Sequence, residues 1–61
     1  MHKYLEIVEK KTKEAVYRID VTDKSERSID SIEGGMNINL NKSDFKTQQV
    51  DSKTELKTGD L

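Results

Sequence analysis

Apolar and polar residues alternate along the first third of the chain at the period of a pleated strand. KYLEIVE, residues 3 to 9, and AVYRIDV, residues 15 to 21, are rich in β-branched and aromatic residues and flank the polar segment KKTKE. The pair predicts a β-hairpin. In its second strand Ala15, Tyr17, Ile19 and Val21 share one face, and Val16, Arg18 and Asp20 share the other. The first strand is apolar on both faces, with Leu5 and Ile7 pointing one way and Tyr4 and Val8 the other. A sheet covered on one side only has no use for that second set. Either another layer of the same chain covers it or a second subunit does. Self-association through Tyr4, Val8 and Val16, giving a homodimer, is the expectation drawn from this pattern.

The period changes in DKSERSIDSIEGGMNINL, residues 23 to 40. Ile29, Ile32, Met36 and Leu40 are spaced by three, four and four, which places them on one stripe of an amphipathic helix. Asp23 followed by Glu26 has the spacing of a capping box, and Ser25 is the alternative cap. Gly34 and Gly35 offer two outcomes. The helix stops at Glu33 with Gly34 as its left-handed terminator, or it continues through both glycines at a cost of about 1 kcal/mol each relative to alanine. Because Met36 and Leu40 extend the stripe, continuation is preferred. DFKTQQV, residues 44 to 50, reads as a third strand in which Phe45 and Val50 face opposite ways. Residues 52 to 61 are polar and are expected to be a disordered tail. The fold class is therefore α+β: one small domain over residues 1 to 51, a β-hairpin followed by a helix and a third strand, with the helix packed on one sheet face.

Composition narrows the functional classes. Sixty-one residues, 31% of them hydrophobic, leave room for one modest core, and with no cysteine neither a disulfide nor a cysteine-based zinc site can reinforce it. No apolar run approaches a membrane span or a signal-peptide core, so a cytoplasmic location without membrane contact is expected. Eleven basic against twelve acidic residues give a net charge of −1, which implies neither a strongly basic nucleic-acid binder nor an acidic DNA mimic. Locally the charge is uneven: residues 25 to 41 carry Arg27 against Glu26, Asp30 and Glu33, whereas Lys10, Lys11 and Lys13 form a cationic hairpin tip.

The residue chemistry points away from catalysis. The glycine pair lacks the spacing and the basic residue of a phosphate-binding loop and follows helical residues instead of opening a helix. His2, the single histidine, lies beside the chain start, and Ser25, Ser28 and Ser31 have no positioned base. Asp20, Asp23, Asp30 and Glu33 lack the spacing of a calcium loop. No enzyme, cofactor or metal is expected. A small nucleic-acid-binding regulator is the alternative, with Lys10, Lys11, Lys13, Tyr4 and Tyr17 as basic and stacking contacts.

The run YRIDVTDKSERSIDSIEGGMNINLN, residues 17 to 41, resembles a pattern in short proteins of bacteriophages and prophages infecting Gram-positive bacteria. The likeness lies in a strand ending R-I-D-V, a polar S-E-R turn into a helix, and a glycine followed by N-I-N-L-N; Asp23 stands where glycine is frequent. The resemblance implies a phage-encoded, non-enzymatic protein that binds and blocks a host protein in the host cytoplasm. One class it brings into view is inhibitors of antiphage defence helicase or nuclease complexes, such as those countering the Hachiman system. Glu26, Arg27, Asp30 and Glu33 on the helix, with Gly34, Gly35, Lys10 and Lys11, are the expected protein-interaction residues.

Overall fold

The computed structural model describes residues 1–61, arranged as strand β1 (His2–Glu9), strand β2 (Ala15–Asp20), helix α1 (Glu26–Asn39), strand β3 (Phe45–Ser52) and a short strand β4 (Gly59–Asp60). The four strands form one sheet in the order β3-β1-β2-β4, with every neighbouring pair antiparallel. Central β1 pairs with β2 through the predicted hairpin, whose turn is closed by the Lys13 N–H donating to the Glu9 carbonyl at 2.7 Å. Lys13 there takes φ 62°, a left-handed conformation more natural to glycine. The β1–β2 register shifts between Ile7 and Val8, so Val16 is the extra residue of a bulge. The β1–β3 register runs from His2↔Ser52 to Glu9↔Phe45 without a shift.

Ser25 is the cap of α1: its Oγ accepts from the Ser28 N–H at 3.2 Å, while Asp23 lies in the preceding turn. The helix continues through Gly34 and Gly35, and the stripe of Ile29, Ile32 and Met36 explains why. Leu5, Val21 and Ile29 are fully buried together, and Ile19, Ile32 and Met36 pack against them. Ending the helix at Glu33 would take Met36 off this core. An α+β fold with the helix on one face of an antiparallel sheet follows, as the periodicities predict.

The opposite face departs from expectation. Residues 52 to 61 do not form a featureless tail. They cross the sheet and end in β4, which pairs with β2 as Tyr17↔Asp60 and Arg18↔Gly59. On the way the Leu56 N–H donates to Tyr4 Oη at 2.9 Å, the Lys57 carbonyl accepts from Arg18 at 3.0 Å, and the Leu61 N–H donates to the Val16 carbonyl at 3.0 Å. The fold thus extends past residue 51. Tyr4 is 0% exposed and Val8 2% within a single chain, and Val16 is half-buried at the bulge. The surface expected to call for a second subunit is covered from within.

Candidate functional site

Glu6 and Arg18 sit at opposing positions of β1 and β2, and Gln48 stands opposite Glu6 on β3. Registry alone therefore lines up three long polar side chains across the sheet, on the face away from the helix. Arg18 Nε donates to Glu6 Oε2 at 2.5 Å and Gln48 Nε2 to Oε1 at 2.7 Å. Glu6 is only 4% exposed, yet both carboxylate oxygens are satisfied, which is what makes a buried charge tolerable. The guanidinium also lies 6.0 Å from the Tyr4 ring centroid, and the His2 ring stacks with the Tyr4 ring at a centroid separation of 6.2 Å. This polar layer ties the C-terminal segment to the sheet. Its signal in the sequence is a glutamate between Tyr4 and Val8 on an otherwise apolar strand face.

The residues expected to contact a partner fall into two groups. Glu26, Arg27 and Asp30 are exposed on α1, and Lys10 and Lys11 are exposed at the hairpin tip. The helix starts beside the Lys3 end of the sheet and finishes beside the tip, where Lys10 Nζ donates to the Lys42 carbonyl at 2.5 Å. Fourteen helical residues at about 1.5 Å each separate Glu26 from that end by roughly 20 Å. The acidic helix start and the cationic tip are thus opposite ends of one surface. Between them Glu33 is fixed to the sheet, its Oε2 accepting from Thr47 Oγ1 at 2.6 Å and its Oε1 from Gln49 Nε2 at 3.4 Å. Gly34 and Gly35 are exposed, and a Cβ added at either would meet nothing within 4 Å. No neighbouring backbone of the chain makes use of their small size. Ile38, 83% exposed, shares their outward side of the helix.

The hairpin tip and the α1–β3 loop enclose a shallow depression lined by Glu9, Lys10, Lys11, Ser43, Asp44 and Phe45. Only one of its linings is apolar, so it offers charge and hydrogen bonds but little surface for burying a ligand. A nucleic-acid stacking platform needs exposed rings on one face, and this sheet does not present one. Tyr4 is enclosed beneath the C-terminal segment, whereas Tyr17, half-buried, lies across from Ile7 on the helix side. Asp20, Asp23, Asp30 and Glu33 do not converge: no group of three or more histidine, cysteine or acidic residues is placed to hold a metal ion. Asp20 is instead a local turn acceptor. The Thr22 side chain and then the Thr22 N–H, which donates to Oδ1 at 2.8 Å, hold its carboxyl below the ordinary 3.8.

No helix of the chain is long and apolar enough to cross a membrane. No family model, curated protein or solved structure matches the chain.

Proposed function

We propose that this chain is a phage-encoded, non-enzymatic interaction protein that binds and inhibits a host protein in the host cytoplasm, with an antiphage defence complex of the helicase or nuclease type as its target. The observation that carries the reading is how the side chains are used. Most apolar residues and the Glu6–Arg18–Gln48 layer are spent on holding the fold, while Glu26, Arg27 and Asp30 stand exposed on α1, and Ile38 and the bare backbone of Gly34 and Gly35 lie open on its outer side. Such a sterically open helix surface, polar but for Ile38, suits docking around a partner's interface core. A second subunit has no part in the proposal, because Tyr4 and Val8 are already buried within one chain.

Expression in Gram-positive hosts carrying individual defence systems, Hachiman among them, tests it. Restored plaque formation in one system, and loss of that effect on combining Arg27→Glu with Asp30→Lys, is the expected result. Defence left intact in every system would overturn it.

A further inference from the structure

The two edges of the sheet are finished differently. In β1 the odd-numbered residues direct their backbone groups toward β2: the Glu9 N–H donates to the Glu14 carbonyl and the Lys3 carbonyl accepts from Val21. Even-numbered residues therefore face β3, as the Lys10 N–H donating to the Asp44 carbonyl at 2.8 Å confirms. With the observed register, Lys46, Gln48, Val50 and Ser52 point their backbone inward, and Phe45, Thr47, Gln49 and Asp51 point theirs outward. The Phe45 N–H is satisfied by the Asn41 carbonyl. Thr47, Gln49 and Asp51 thus present a row of free N–H and C=O groups. At the opposite edge the outward positions Arg18 and Val16 of β2 are occupied by Gly59 and Leu61. The β3 edge has no proline, bulge or covering segment, and such an edge is a template for another strand.

The helix determines what that strand carries. Because Glu33 reaches down to Thr47 and Gln49, the flank of α1 on the β3 side is fixed, and helical spacing places Glu26, Asp30 and Asn37 along the same flank. Asp51 adds a further carboxylate on the helix side of β3. Side chains projecting to this side from an added strand would meet an acidic shelf. Those projecting to the other side would lie beside half-buried Val50. A second copy paired through β3 would set one acidic shelf against another, which disfavours self-pairing.

We infer that the β3 edge is a docking site for an extended segment of the partner protein, added as a fifth strand, with lysine or arginine at alternate positions over the Glu26–Asp30–Glu33 flank. This rests on the reading of the chain as a protein-binding inhibitor and names the binding mode. The probe is a short capped peptide in which lysine alternates with threonine and valine, titrated into the full chain and followed by backbone amide NMR. Expected are shifts and slowed hydrogen exchange at Thr47, Gln49 and Asp51. At least tenfold weaker binding is expected for a backbone N-methylated peptide and for Gln49→Pro, which removes an outward N–H without touching the β1–β3 ladder. Glu26→Gln with Asp30→Asn should weaken binding several-fold and make it less salt-sensitive. Equal binding of a peptide with glutamate for lysine would overturn the inference, as would shifts confined to the hairpin tip or the outer helix face. Concentration-dependent protection of the same amides without peptide would give the edge to a second copy and overturn it also. The two levels separate in the phage assay. Defence inhibited as well by Gln49→Pro as by the native chain sinks the strand-addition mode alone, whereas peptide binding without any effect on defence sinks the inhibitor reading alone.

Discussion

The two faces of the sheet are both closed, but by different kinds of interaction. On one side Ile29, Ile32 and Met36 of α1 seal Leu5, Val21 and Ile19 by apolar packing. On the other, a polar segment lies over Tyr4 and the Glu6–Arg18–Gln48 layer and is held through backbone groups of Leu56, Lys57 and Leu61. The first face derives its stability from area removed from water, and the second from satisfied hydrogen bonds around a buried charge. A chain this short has on the order of 3 to 9 kcal/mol of total stability to distribute. Neither face is dispensable on that scale.

Cutting into the helix face should do most damage. Leu5→Ala empties the centre of the apolar cluster and is expected to cost about 3 to 4 kcal/mol, leaving a chain that denaturant titration finds largely unfolded. Next comes Arg18→Met, which keeps volume but strands the Glu6 carboxylate under the C-terminal segment; about 3 kcal/mol is expected. If the charge is what matters, adding Glu6→Leu to Arg18→Met recovers much of that loss in the same measurement. A smaller effect, about 2 kcal/mol, is expected on truncating the chain after Ser52, which exposes Tyr4 and removes β4. Tyrosine fluorescence and hydrogen exchange at Val16 and Arg18 would register it; an unchanged midpoint would show that the helix face alone sustains the fold.

Two further changes sharpen the contrast from the other direction. Gly34→Ala and Gly35→Ala meet open space, so each should raise stability by about 1 kcal/mol through helix propensity alone. Should either of them abolish target inhibition while stabilising the fold, the bare helix face is a contact surface. The least effect belongs to Asp20 at the exposed end of β2. Its carboxyl is held below 3.8 in the folded chain by Thr22, so its contribution is fully present above the unfolded value and is lost as pH falls through the lowered one. Stability curves of the native chain and Asp20→Asn should therefore differ slightly above about pH 4 and converge below it.

Much of the helix face was legible because its information lies in side-chain periodicity. Leu5, Ile19 and Val21 repeat at the strand period and Ile29, Ile32 and Met36 at the helical one, and burial requires the two sets to meet. The helix through the glycines follows from the same stripe, whereas the cap does not: of Asp23 and Ser25, both offered by the sequence, the structure uses Ser25. The expected interaction residues were legible only as polar and exposed types. What separates Glu33 from Glu26 and Asp30 is its pair of bonds to Thr47 and Gln49, and those depend on how α1 lies across β3.

By itself the sequence determined the α+β class, the hairpin, the helix and the need for some cover over Tyr4 and Val8. Only the tertiary structure decided that the cover is residues 53 to 61 of the same chain. Apart from Leu56 and Leu61 their side chains are polar or glycine, and two leucines five positions apart carry no apolar period to read. They are held in place through the Leu56 and Leu61 N–H groups and the Lys57 carbonyl, which every residue type but proline offers alike, so their partners are chosen by distance in the folded chain. The buried Glu6 has the same origin: a carboxylate is tolerable at that position because strand registry brings Arg18 and Gln48 to it from either side.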